Sequence, residues 1–455
     1  MRLAPLVAVL LLACSSASTT TPDPASEVGD DASDEASDAV SEDTLADTLF
    51  DVPFDAAACP SPVPADPLRA DRTACKFAKG SQATATLGVD DAFRKAIPIT
   101  HLIVVVQENR AFDHYFGTLA KEGQPLAEGP PATWVNPDDK SVDVKPFHAA
   151  STCFTADPPH QWDPMHAMWN SGKMDGFVKN ASNTTTNGHY VMGHYDKTDL
   201  PFYTWLASTW ALADHHFPSV LSGTWANRLF LYAGTSDGIR NTGERKMTGI
   251  PTLFDALTKA KVSWGAYSSG GPRQDCLGWT KTTKGFATFT TFMTQLGDGT
   301  LPEVTFVDPG SAEDEHPPND VQKGEAWNRR IYEAAIKSPL WPKLAVIFTY
   351  DEAGGTADHM PPPAACPPSA DQPTFNRLGV RVPLMLVSPW ARPKYVSKRV
   401  HEHTSITRLI ELIHGIPALT DRDANSDALL DMFDFSCPLM LKAPTSPAAG
   451  TAGCK

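Results

Sequence analysis

The sequence predicts an α/β fold: a central, mostly parallel sheet flanked by helices, with long loop insertions. Three observations carry this. Apolar, β-like runs alternate with amphipathic stretches along the chain. The run from His101 to Val106 is dominated by β-branched residues that fill both faces, as in a strand buried inside a parallel sheet. Forty prolines and thirty glycines supply the turns that long, shaped loops need.

Strands are expected at residues 102–106, 304–307, 344–349 and 382–387, with a weaker candidate at 262–267. Helices are expected at 201–213, 252–260, 323–337 and 405–414. In the first, Leu206, Trp210 and Leu212 are the expected core residues; in the last, Ile406, Leu409, Ile410 and Ile413 share one face. No internal repeat and no Pro/Gly/Ser linker divides residues 98–436, which read as one large domain, preceded by a lead-in at 59–97 and followed by a tail at 437–455.

The N-terminus has the pattern of an export signal. Arg2 is the positive residue, and Leu3 to Leu12 is an apolar run too short to span a bilayer. It ends in Leu11-Leu12-Ala13-Cys14, which resembles a bacterial lipobox. That resemblance implies removal of residues 1–13, a diacylglyceryl group on Cys14 and attachment to a membrane on its periplasmic or outer side. The alternative is an ordinary secretory signal from which Cys14 is lost. Residues 15–58 hold twelve acids and no Lys or Arg, so most of the net charge of −15 lies there. Such a segment repels itself and buries little, and is expected to be a disordered tether. The rest of the chain is close to neutral, which gives no electrostatic case for nucleic-acid binding.

Eight cysteines are dispersed, with no Cys-x-x-Cys, which excludes zinc ribbons and thioredoxin-like motifs. In an exported chain they suggest disulfides. Cys59–Cys75 and Cys437–Cys454 are pairs of plausible loop size, although connectivity does not follow from sequence. With Cys14 lipidated, seven remain and at least one is left over.

Chemistry gathers at strand ends. Gln107-Glu108-Asn109-Arg110 follows the first strand, and Asp351-Glu352 follows the strand at 344–349. Ligands of open α/β sheets bind at such carboxyl ends. Adjacent carboxylates there repel unless a cation lies between them. Glu108 and Asn109 offer the oxygen ligands that hard divalent ions take. Gly354 and Gly355 permit a tight turn, and His359 lies within reach of the same rim. Ser222 and Thr224 stand at a loop-to-helix junction, with the helix expected from near Asn227; either hydroxyl is a nucleophile candidate, and Thr224 is equally a candidate N-cap. His160 and His166 follow prolines in a third segment, and His316 follows Glu313-Asp314-Glu315, where a general acid is plausible. In Glu402-His403-Thr404-Ser405, Thr404 or Ser405 is the expected helix cap.

These segments, in order, resemble the phosphoesterase family of bacterial non-specific phospholipases C and related acid phosphatases, within the alkaline-phosphatase-like superfamily. The resemblance rests on Glu108 to Gly117, on His160-x-Trp162 with His166, on Thr224-x-x-Asn227-Arg228, on Glu315-His316-Pro317-Pro318, and on Asp351-Glu352-x-Gly354-Gly355 with Asp358-His359. It implies an alkaline-phosphatase-like sheet. It implies one divalent metal (Ca, Mg, Mn or Zn) on Glu108, Asn109, Thr224, Asp351 and Glu352. It implies Thr224 as nucleophile, His316 and His160 in catalysis, and Asn109, His160, His359 and Arg228 against the substrate. Ala111, Ala353 and the pair Trp225-Ala226 depart from the family pattern without removing a proposed ligand. The implied function is hydrolysis of phospholipids by a phospholipase C. The alternatives are an acid phosphatase acting on monoesters and, more remotely, a non-catalytic surface lipoprotein.

Overall fold

The β-branched run becomes His101–Gln107 (β1), near the middle of an eight-stranded sheet in the computed structural model, which describes residues 59–182 and 187–454. The lipobox and the acidic segment lie outside the described residues. The other strands are Ala211–Ala213 (β2), Trp264–Ser268 (β3), Phe286–Thr288 (β4), Val304–Asp308 (β5), Leu344–Tyr350 (β6), Leu384–Val387 (β7) and Val396–Ser397 (β8). Their order is β8-β2-β7-β6-β1-β5-β3-β4. The five strands from β6 to β4 pair in parallel, whereas β7 is antiparallel to both β6 and β2. Every residue of β6 is buried, as its run of Ala, Val, Ile and Phe requires.

Register sets the site. β1 and β6 align from His101 opposite Leu344 to Gln107 opposite Tyr350. Both strands therefore end together, and Glu108 and Asp351 leave the sheet side by side. On the other flank Val105 aligns with Val307, which brings Asp308 to the same edge.

The helices used below are Phe112–Phe116 (α1), Trp162–Trp169 (α2), Pro201–Thr209 (α3), Thr224–Ala233 (α4), Leu253–Ala260 (α5), Val321–Ala335 (α6) and His403–His414 (α7). Among the described residues no helix is long and apolar enough to cross a membrane. α7 buries Ile406, Leu409 and Ile410, but Leu412 rather than Ile413 completes the buried face. It is tied to α4 by the Thr407 hydroxyl, which donates to the Leu231 carbonyl at 2.8 Å.

Several expectations need correction. The helix expected to reach residue 213 stops at Thr209, because Ala211–Ala213 pairs with both β7 and β8. Alanine and leucine favour helix locally, and sheet pairing overrides that preference. α4 begins at Thr224 rather than near Asn227, with Gly223 as its N-cap, so Thr224 is the first helical residue and not the cap. α7 is capped by Glu402, whose backbone N–H donates to the Ser405 hydroxyl at 3.0 Å; neither Thr404 nor Ser405 is the N-cap.

The cysteine pairing also differs. Cys59 joins Cys437, Cys75 joins Cys366 and Cys153 joins Cys454, across separations of 378, 291 and 301 residues. Short sequence spacing misled because the fold brings the two ends of the catalytic region onto one body. Among the described cysteines Cys276 alone is free, and it is buried.

Candidate active site

Asn109 and Asp351 meet as the register requires. The Asn109 N–H donates to Asp351 Oδ1 at 3.2 Å, and the Arg110 N–H donates to the Glu352 carbonyl at 3.0 Å. Asn109 sits in left-handed backbone, φ 66°. Gly354 packs so closely that an added Cβ would lie 2.5 Å from the Asn109 carbonyl oxygen. At this position only a missing side chain lets the two motifs touch.

His160 orders the amide. Its Nδ1 lies 2.7 Å from the Pro158 carbonyl, which can only accept, so Nδ1 carries the proton. Nε2 is then an acceptor, 3.4 Å from Asn109 Nδ2. The Asn109 side-chain oxygen is buried and without a hydrogen-bond partner, and Glu352 Oε1 is likewise unpartnered. Glu352 Oε2 accepts from the Gly354 N–H at 2.6 Å. Burial lowers the His160 pKa. In this arrangement Nε2 is aimed at the Asn109 amide. The His316 and His160 rings lie 5.6 Å apart, and His316 Nδ1 donates to the Pro317 carbonyl at 2.7 Å.

Arg228 is placed differently from the expectation that it binds substrate. It is buried beneath the site, with Nη1 2.5 Å from Asp308 Oδ1, Nε 3.3 Å from Asp351 Oδ2 and Nη2 3.4 Å from Glu108 Oε1. Arg273 reaches Glu108 at 3.0 Å and Asp314 at 2.7 Å. His359 also has other partners: its Nδ1 lies 2.6 Å from Asp113, which is held in turn by Arg381 at 2.8 Å. It belongs to the ion-pair cluster of Asp113, Asp358 and Arg381.

Asn227 and Ser222 shape the loop before Thr224. Asn227 Nδ2 donates to the Ser222 carbonyl at 2.8 Å, while its Oδ1 accepts from the Val220 N–H at 2.9 Å. The Ser222 hydroxyl donates to the Arg240 carbonyl, so it is engaged in fastening a loop. Thr224 is half-buried at the first turn of α4.

Charge argues for a cation. Five buried carboxylates gather here: Glu108, Asp308, Asp314 and Asp351 pair with the guanidiniums of Arg228 and Arg273, and Glu352 pairs with neither. Burial raises the pKa of Asp351, and burial together with repulsion from Asp351 raises that of Glu352 well above the usual range. Two unpartnered oxygens and an excess of carboxylate oxygens form a donor set suited to a hard divalent ion. Asp157, His160 and His316 form a second group able to hold a metal, with ligand atoms within 4.8 Å of one another.

Sequence reasoning missed Asp308, although it ends an apolar strand just as Glu108 and Asp351 follow theirs. It also missed what Glu315 does. This carboxylate turns away from His316 into a cage of hydroxyls from Tyr115, Tyr203 and Tyr350, the last at 2.8 Å, and burial pushes its pKa up to about 7.

The profile of the Phosphoesterase family matches residues 99–417, the span that contains all of these groups. The chain belongs to the Phosphoesterase family. Its family members hydrolyse phosphoester bonds, and so this chain is a hydrolase of that kind. It is 31% identical over 410 residues to non-specific phospholipase C3 of Arabidopsis thaliana, covering 78% of this chain and 77% of that protein. It is 29% identical over 407 residues to phospholipase C A of Mycobacterium tuberculosis, covering 75% and 78%. Among solved structures, the lipoteichoic acid synthase LtaP from Listeria monocytogenes overlaps 80% of this chain and 81% of its own at a TM-score of 0.39 and 9% identity. So loose an overlap carries no argument about this phosphoesterase.

Proposed function

We propose that this phosphoesterase is a phospholipase C that cleaves phospholipids to diacylglycerol and a phosphorylated headgroup, with Thr224 as nucleophile. The observation that carries the reading is the convergence of Glu108, Asn109, Asp351 and Glu352 at two aligned strand ends; the packing of Gly223, the N-cap of α4, against His160, which itself contacts Asn109, supports placing Thr224 beside them. The similarity to phospholipases C supports the lipid substrate.

Glu108, Asn109, Asp351, Glu352 and Thr224 would hold one divalent metal. When bound, such an ion lowers the pKa of a hydroxyl, so that its proton is shed to water, and offsets charge on phosphoryl oxygens. The Thr224 oxygen attacks phosphorus in line, and the bond to the diacylglycerol oxygen breaks. His316, as an imidazolium whose Nδ1–H is bound to Pro317, donates its Nε2 proton to that leaving oxygen and takes a proton back from the water that attacks in the second step. The headgroup phosphoryl is left on Thr224. Water then attacks phosphorus, and the phosphorylated headgroup departs as the Thr224 hydroxyl is restored. Positioning and electrostatics provide most of the rate enhancement in such transfers.

The test is twofold. Purified protein is assayed on phosphatidylcholine and phosphatidylglycerol and on an aryl phosphate monoester; turnover of the monoester alone favours the acid-phosphatase reading. Enzyme acid-quenched during turnover should carry the headgroup phosphoryl, or phosphate when the monoester is the substrate, on a peptide containing Thr224, and Thr224→Ala should lower activity by orders of magnitude. Phosphate on a histidine, or full activity in Thr224→Ala, overturns the mechanism.

The same proposal includes export and attachment through a lipidated Cys14. Leu11-Leu12-Ala13-Cys14 supports the anchor, and three disulfides in the described body suit an oxidising compartment.

A further inference from the structure

One wall of the site is built from three segments laced together beside Thr224. The Ser222 hydroxyl donates to the Arg240 carbonyl. The Trp162 N–H donates to Asn241 Oδ1 at 3.0 Å, the Thr242 N–H to Gln161 Oε1 at 3.0 Å, and the Trp225 N–H to the Thr242 hydroxyl at 3.3 Å. Gly223 fits against His160, whose carbonyl would lie 3.2 Å from an added Cβ. The side chains of Trp162 and Arg240 belong to these segments, and the Arg240 backbone is joined through Ser222 to the loop that carries Thr224.

Those side chains are cations laid over aromatic rings. The exposed Arg240 guanidinium lies 4.6 Å from the Trp162 ring centroid, and the half-buried Arg377 lies 4.7 Å from that of Trp169. His166 stands between, 4.4 Å from Trp162 and 6.3 Å from Trp169, and Phe375 meets Trp162 at 5.2 Å. Among the described residues, neither arginine forms an ion pair with a carboxylate. Glu244 is engaged by the Arg240 N–H at 3.1 Å and the Asn241 amide at 2.7 Å, and Asp163 is exposed on α2.

Two consequences follow. A quaternary ammonium binds where aromatic faces are open to it, and here the rings of Trp162 and Trp169 already carry protein cations. A guanidinium fixed on a ring retains N–H donors for hydroxyl or anionic oxygen, and it repels a second cation. Resting on the phospholipase reading, we infer that Arg240 and Arg377 select the headgroup: a phospholipid whose headgroup is hydroxylated or anionic, in preference to one bearing choline.

The test compares kcat/KM for phosphatidylglycerol and phosphatidylcholine of matched acyl chains. Both lipids are presented together, at equal mole fraction in the same micelles of one neutral detergent, so that each substrate meets the same surface charge. The wild type should favour phosphatidylglycerol by about tenfold, the scale of one charge-assisted contact. Arg240→Gln with Arg377→Gln should bring the ratio close to one, and Arg240→Glu should move it toward phosphatidylcholine. A ratio is insensitive to partial misfolding, which lowers both numbers alike. Raising salt should shrink the preference, because Arg240 is exposed. Cleavage of neither lipid overturns the proposed function itself. Cleavage of both without preference, or a preference for choline housed on the half-buried Trp225, overturns the selection alone. So does a preference that survives both substitutions.

Discussion

Arg228 has the residue type expected of a phosphate ligand and a location that forbids it. Its guanidinium is buried among Asp308, Asp351 and Glu108, three carboxylates from three adjacent strand ends. A buried charge needs such partners, and removing it strands them. Arg228→Leu should therefore destabilise the fold by about 3–5 kcal/mol, measured as a fall in the urea midpoint. Arg228→Lys should fall between, since one ammonium cannot engage all three acids as a planar fork does. A midpoint unchanged in Arg228→Leu would count against the structural role. At this scale Glu108, Asn109, Asp351 and Glu352 were legible, because acids and amides directly after apolar runs must emerge at the rim. The burial of Arg228 and the pairing of His359 with Asp113 were not, because both depend on distant segments.

At the scale of elements, the short strand His401–Glu402 pairs with His216–Phe217 and leads into α7. Burial works against a charge on His401, but Asp427 at 3.0 Å and Asp431 at 3.4 Å outweigh it and push the pKa up to about 9. A raised folded pKa means that the protonated ring stabilises the fold. That contribution is fully present below the ordinary histidine value and is lost as pH rises through about 9. The difference is on the order of 3 kcal/mol. The denaturant midpoint should drop between neutral pH and pH 10 in the wild type, and this step should be missing from His401→Asn. Expected and observed elements agree best where a run is long and apolar, as in β1 and β6. They disagree at β2, where three helix-prone residues are claimed by neighbouring strands.

Over the whole molecule, three disulfides join segments near the ends of the chain to each other and to its middle. In chain-entropy terms each closes a loop longer than about 100 residues, which is associated with roughly 4–5 kcal/mol. Reduction should therefore lower the thermal midpoint sharply, and Cys75→Ser with Cys366→Ser should reproduce part of the loss. Peptide mapping without reduction should recover Cys59 with Cys437, not with Cys75. The acidic N-terminal segment makes a separate prediction. Cys14→Ser should release the protein from the membrane fraction, and deletion of residues 15–51 should leave turnover of a soluble substrate nearly unchanged. Membrane association that persists in Cys14→Ser would require another anchor.

By itself the sequence determined the α/β class, the buried strands, and the motifs that close them with oxygen ligands. Periodicity and strand-end chemistry are local, so they survive without any knowledge of contacts. Tertiary structure alone decided which strand ends are neighbours, that Asp308 joins them, that Arg228 lies beneath the site, and that Ser222 fastens the wall bearing Arg240. It also decided the cysteine pairing. These are set by sheet register and by approaches between segments hundreds of residues apart, and no local pattern encodes which distant backbone will arrive alongside.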